Sequence, residues 1–169
     1  MNKIVIYTDG SSRGNPGPGG FGAIIISNLK SLPRRQAGQI SKVKEIGGRE
    51  EMTTNNRMEI RAVIEALRNT EVGSEVEIHS DSEYVIKGIT EWIHNWQKNN
   101  WRTKNKKPVL NQDLWQELLI EMKKRKIKWK KVLGHSGHSY NDRCDEIATS
   151  FADGKNLKLY AGLAGEYKI

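Results

Sequence analysis

Cysteine is almost absent: Cys144 stands alone, so no intramolecular disulfide can form. A lone thiol suits a reducing compartment. No apolar run reaches the roughly 18 residues of a membrane-spanning helix, and no charged, apolar and small-residue leader opens the chain. The expectation is a soluble, cytoplasmic protein. Repeats and linker-like stretches are also missing, so 169 residues read as one domain with a single sizeable core. Acid is the scarcer charge, with 20 Asp and Glu against 28 Lys and Arg, a net +8. That balance makes nucleic acid the leading class of partner. The basic residues line no clearly amphipathic helix, so a membrane surface is not expected.

A nucleotide loop is missing too, although one stretch imitates it. Residues 7–26 read YTDGSSRGNPGPGGFGAIII, in which Gly17, Gly19 and Gly22 spell G-x-G-x-x-G. That fingerprint works between a strand and a helix. Here the glycines lead into Ala23-Ile24-Ile25-Ile26, a strand-favouring run, and no Gly-Lys-Ser/Thr follows. What remains is strand, glycine-rich turn and strand, with Asp9 near the end of the first. Asp9-Gly10 also suits a plain turn.

Residues 3–8, 21–27 and 39–46 read as strands, with a loop around Pro33-Arg34-Arg35. A helix starts near Thr53-Thr54-Asn55-Asn56 and carries Met58, Ala62, Val63, Ala66 and Leu67 on one face. Residues 76–80 alternate as a strand ending at Asp81; residues 82–96 are helical, with a break expected at Gly88. A Lys- and Asn-rich loop over 99–110 precedes a helix over 112–124, a lysine-studded strand over 127–133 and a helix over 140–152. The last fifteen or so residues carry no firm signal. This order predicts an α/β fold, a mixed sheet with an antiparallel beginning, covered by helices.

Four acids fall at element ends: Asp9, Glu59, Asp81 and Asp145. Each has a local explanation. Glu59 follows Asn56 by three, as in a capping box; Asp81 can cap the next helix; Asp145 suits a helix dipole. Together they suit another purpose, since converging carboxylates need cations, and Mg²⁺ prefers such oxygen ligands. An acidic metal centre in a basic protein is the combination that phosphodiester hydrolysis requires. The sequence permits that convergence without establishing it.

Several segments carry a resemblance. These are Tyr7-Thr8-Asp9-Gly10-Ser11 with 14–20 (GNPGPGG), Thr53-Thr54-Asn55-Asn56-Arg57-Met58-Glu59, Ser80-Asp81-Ser82 with Tyr84-Val85, the 134–138 stretch GHSGH, and Asp142-Arg143-Cys144-Asp145-Glu146. In this order, from about residue 3 to 152, the chain resembles type 1 ribonuclease H of the bacterial kind. The resemblance implies a ribonuclease H fold, a five-stranded mixed sheet whose first three strands are antiparallel, with helices on both faces. It divides the chain into a ribonuclease H domain, 1–153, and an extension of unknown role, 154–169. It implies endonucleolytic cleavage of the RNA strand of RNA–DNA hybrids with Mg²⁺, or Mn²⁺ in its place, leaving 3′-hydroxyl and 5′-phosphate ends. The family's metal-binding acids fall on Asp9, Glu59, Asp81 and Asp145, and its loop histidine, which assists proton transfer or product release, on His135.

The same resemblance implies that Gly10, Ser12, Asn15, Asn55 and Asn56 touch the hybrid in its minor groove, the glycines beside Asp9 admitting the duplex. Trp92, Trp96, Lys98, Lys104, Lys106 and Lys107 match the family's basic protrusion, which holds the DNA strand; Trp115 reads instead as core. Thr54 and Asn111 match a DNA-phosphate pocket, where Met52 replaces a common arginine and Arg49 lies near enough to compensate. Glu83 replaces a substrate-contacting glutamine. The segment between Ile26 and Met52 reads as an extended hairpin. A monomer is expected. Transposases, integrases and resolvases share the implied fold, and the rival readings are one of these, a catalytically dead hybrid-binding module or a purely structural domain.

Overall fold

The computed structural model describes residues 3–28, 41–132 and 139–169. Strand β1 (Lys3–Ser12) pairs antiparallel with β2 (Gly17–Asn28), and β2 with β3 (Ser41–Thr53). On the other side of β1 lies β4 (Glu75–Ser80), parallel to it, and β5 (Lys126–Lys131) is parallel to β4. A short β6 (Ala161–Leu163) adds to β3, giving the order β5-β4-β1-β2-β3-β6. The sheet therefore has six strands where five were expected.

Helices cover both faces, and the sequence of β2 records this. Ala23 and Ile25 join a core shared with α1 (Asn55–Arg68) and α4 (Gln112–Lys123). Ile24, between them, joins Cys144 of α5 (Ser139–Ala152) on the opposite side. A strand buried on both faces shows an unbroken apolar run rather than alternation. Two glycines of β2 face α5 directly. A β-carbon on Gly20 would lie 2.3 Å from the Ala148 carbonyl oxygen, and one on Gly22 2.4 Å from that of Cys144. Gly20 and Gly22 thus make room for the protein's own helix, a use of the glycine-rich stretch that the sequence did not reveal.

Two helix readings also change. The N-cap of α1 is Thr54, whose hydroxyl accepts from the Arg57 backbone N–H at 3.3 Å. Glu59 is consequently in the second turn and cannot be a capping-box glutamate. Residues 83–98 stay helical through Gly88: α2 (Glu83–Lys87) passes into a π-helical turn (Gly88–Trp92) and then α3 (Ile93–Lys98). Gly88 keeps ordinary helical angles, and a β-carbon there would meet the Trp115 indole at 2.2 Å. Its small size admits the fully buried Trp115, the core residue expected, instead of breaking the helix.

The tail gave no pattern because one buried residue fixes it. The Glu45 side chain, wholly buried on β3, accepts from Arg143 at 2.8 and 3.0 Å, from the Tyr160 backbone N–H at 2.9 Å and from the Tyr167 hydroxyl at 2.6 Å. That anchorage lays β6 along β3. The loop around Pro33-Arg34-Arg35 lies outside the described residues. Among those described, no helix is long and apolar enough to cross a membrane.

Candidate active site

In the parallel register of β1 and β4, Thr8 faces Ser80, so the next residues, Asp9 and Asp81, emerge side by side. The third acid comes from α1, which lies directly against β1. A β-carbon on Gly10 would fall 2.3 Å from the Glu59 backbone nitrogen, so only glycine lets the helix approach this closely. One carboxylate oxygen from each of Asp9, Glu59 and Asp81 lies within 4.8 Å of the others. Asp9 and Glu59 are buried and Asp81 is half-buried.

Burial, followed by the charge of Asp81, pushes the Asp9 carboxyl up to about 7. Burial, followed by the charges of Asp9 and Asp81, pushes Glu59 well above the usual carboxylate range. The protein still fixes each acid. The Gly10 N–H donates to Asp9 Oδ1 at 2.8 Å, Asn55 Nδ2 to Glu59 Oε1 at 3.5 Å and Asn141 Nδ2 to Asp81 Oδ2 at 3.2 Å. Glu59 Oε2 and Asn141 Oδ1 are buried with no hydrogen-bond partner. Buried polar atoms without partners usually await water or an ion. Crowded carboxylates with an unused oxygen fit a hard divalent cation.

Asp145 is half-buried on α5, near enough for its charge to raise Asp9, but it is not in the trio. His135 lies outside the described residues. The other predicted positions fall into three groups. Ser12, Asn15, Asn55 and Asn56 belong to the β1–β2 turn and the first turn of α1; Asn15, Asn55 and Asn56 are exposed, while Gly10 is buried under α1. Arg13, between Ser12 and Asn15, donates to both Asp153 oxygens at 2.5 and 3.1 Å and ties the turn to the end of α5.

Thr54 and Asn111 are brought to the two ends of one arginine. Arg57 gives its backbone N–H to Thr54 and its guanidinium to Asn111 Oδ1, at 3.3 Å in both cases, and also pairs with Asp113 at 2.7 Å. Met52 is 72% exposed, and Arg49 is engaged by Glu51 at 2.7 Å and by carbonyls at the end of α5. Glu83 is neutralised by Lys131 at 2.6 Å.

The protrusion forms the third group. Trp92 and Trp96 are half-buried and, with Lys104, line a groove of about 600 Å³; Lys98, Lys104, Lys106 and Lys107 are exposed. Two neighbours escaped the sequence reading. Asn141, which holds Asp81, lies one helical turn before Asp145, a spacing that could have revealed it. Arg57 lies inside the Thr53–Glu59 motif.

Residues 1–153 match the family model described as RNase H. The chain is 47% identical over 165 residues to the ribonuclease H of Pseudoalteromonas atlantica, covering 98% of this chain and 100% of that one. Among solved structures it resembles LC9-RNase H1, a type 1 RNase H with the type 2 active-site motif, at a TM-score of 0.78 and 30% identity, over 97% of this chain and 77% of that one. It also resembles LC11-RNase H1, solved in complex with an RNA/DNA hybrid, at a TM-score of 0.61 and 26% identity, over 89% and 97% of the two chains.

Proposed function

The chain belongs to the ribonuclease H family, and from that premise we propose that it is an endonuclease hydrolysing the RNA strand of RNA–DNA hybrids with Mg²⁺, leaving 3′-hydroxyl and 5′-phosphate ends. The observation that carries this reading is the meeting of Asp9, Glu59 and Asp81 within 4.8 Å, against their mutual repulsion. These three would hold the metal, with Asp145 completing the set from α5 and Mn²⁺ able to substitute. Mg²⁺ bound there as a pair would supply the positive charge that lets the acids ionise together and would offset charge at the scissile phosphate.

The chain's own residues do the rest. The Gly10 N–H, Asn55 and Asn141 hold the carboxylates in orientation. Gly10, Ser12, Asn15, Asn55 and Asn56 border the centre where a hybrid's minor groove would lie, to be read by shape and 2′-hydroxyl groups. Trp92, Trp96, Lys98, Lys104, Lys106 and Lys107 take the DNA strand, and Thr54 and Asn111 a DNA phosphate, beside the Arg57 guanidinium. His135 moves a proton or assists product release. Residues 1–153 carry the activity, and 154–169 are an extension of it. The protein works as a cytoplasmic monomer.

The test is cleavage of labelled strands in Mg²⁺, comparing the hybrid with single-stranded RNA, double-stranded RNA and double-stranded DNA, with a chelator and with Asp81→Asn. RNA cut only in the hybrid, and lost with the chelator and the variant, is the expected result. Salt-sensitive hybrid binding without cleavage in Mg²⁺ or Mn²⁺ would make this a binding module instead.

A further inference from the structure

Residues 123–131 read Lys-Lys-Arg-Lys-Ile-Lys-Trp-Lys-Lys, with seven of the chain's 28 basic residues and no acid. Neither the metal centre nor the protrusion uses them. The stretch forms the turn after α4 and then β5, at the outer edge of the sheet. Ile127 and Trp129 turn inward onto the core, and the alternating Lys126, Lys128 and Lys130 are exposed on the other side. Alternate strand residues are about 6.6 Å apart, so the lysines form an evenly spaced row. The helix on that face, α5, packs on β1, β2 and β3 and leaves the β5 lysines open to solvent.

Four of the seven basic residues are engaged within the described fold and three are not. Lys130 pairs with Glu77 at 3.2 Å, Lys131 with Glu83 at 2.6 Å and Lys124 with Glu121 at 2.9 Å, while Arg125 is buried against Thr70 and Glu121. Among the described residues, no ion pair engages Lys123, Lys126 or Lys128. Lys126 and Lys128 line an open cleft of about 340 Å³ with Lys3, Glu75 and Glu77. Edge lysines also block sheet-to-sheet pairing between molecules. One or two charges achieve that, and it explains neither the even row nor the basic turn before it.

The direction of the row identifies an occupant. Because β5 runs parallel to β4, Lys131 lies at the end where Asp81 emerges and Lys126 at the far end, a span of about 16 Å. We propose that the β5 edge is a second polyanion-binding surface, which holds the phosphodiester backbone of a single strand that continues beyond the hybrid at the acidic centre. A regular polymer with one negative charge per unit complements an evenly spaced row of lysines. The proposal rests on the hybrid-nuclease reading only for the origin of that strand.

The test is binding, measured by fluorescence anisotropy in a chelator, to a blunt hybrid and to the same hybrid with a single-stranded DNA overhang at either end. The overhang should tighten wild-type binding about fivefold and steepen the dependence of log affinity on log salt by about 1.4, roughly 0.7 for each of two phosphates. In Lys126→Gln/Lys128→Gln both increments should disappear, with binding and Mg²⁺-dependent cleavage of the blunt hybrid unchanged. No overhang gain in the wild type, or a gain that survives in the variant, would overturn the proposal. Poly-glutamate binding that needs Lys126 and Lys128 without any overhang gain would also overturn it, in favour of an acidic-peptide surface. Blunt-hybrid cleavage in the same samples reports separately on the nuclease reading.

Discussion

At the scale of single residues, Asp9 has a job that works against folding. Its folded carboxyl titrates near 7, against an ordinary value of 3.8. As pH rises between those values, the unfolded chain releases the proton while the folded chain keeps it. Stability therefore falls over that interval and stays lower above it. Without metal, Asp9→Asn should be more stable than wild type at pH 8, with a Tm higher by roughly 3–8 °C, and the gain should shrink by pH 5. Mg²⁺ should narrow the gap by stabilising the wild type alone. Thermal unfolding at both pH values checks this, and a lower Tm for the variant at pH 8 would mean that the acids are not crowded. The individual acids were legible in the sequence as part of recognisable motifs, although only Asp81 directly follows its strand. Asp9 is followed by three more residues of β1, Glu59 is in the second turn of α1, and Asp145 is in the middle of α5 rather than at its start. Their convergence was not legible, since it depends on Gly10 admitting α1 and on the Thr8–Ser80 register, both long-range facts.

At the scale of elements, strong patterns were readable and short or shared ones were not. The unbroken Ala23–Ile26 run identified a buried strand, and the apolar stripe of α1 identified a helix. At Gly88 local propensity misled, because a glycine that would weaken an isolated helix is needed here for the Trp115 ring. Strand β6 is too short to show a period and exists because the tail is bonded to Glu45. Burial alone would raise the Glu45 carboxyl, but Arg143, Tyr167 and the Tyr160 N–H outweigh it and hold it below the usual range. A depressed carboxyl stabilises the fold above its unfolded pKa, and that contribution is lost as pH falls through the folded value. Tyr167→Phe should cost about 1.5–3 kcal/mol at neutral pH, as expected for a hydrogen bond to a charged group, and less in acid. Denaturant titration at the two pH values measures the difference; an equal cost at both would mean the hydroxyl does not stabilise the ionised carboxyl.

At the scale of the whole molecule, a net charge of +8 surrounds a pit of buried acid. Under the proposed function the basic protrusion and the acidic centre would divide the work between them, one attracting the polyanion and the other repelling it until metal is bound. Replacing Lys104, Lys106 and Lys107 with alanine should therefore weaken hybrid binding while leaving the metal centre intact. The salt slope should flatten by about 0.9 for each duplex phosphate that the variant no longer neutralises. Anisotropy titrations over a range of salt would show this, and an unchanged slope would place the hybrid elsewhere on the surface.

The packing of α5 onto β2 gives the chain an internal clock. Cys144 lies on that helix next to Asp145, fully buried, and its carbonyl fills the space over Gly22. Burial raises its thiol well above the ordinary value, so in the closed molecule the sulfur is both unreachable and unreactive. A thiol reagent can reach it only when α5 lifts from the sheet or the whole chain unfolds. With reagent in excess, labelling is limited by that opening, and its rate counts the moments at which the helix carrying Asp145 has left its place. Tyr167→Phe, which loosens the Arg143 anchorage one residue away, should make that clock run faster.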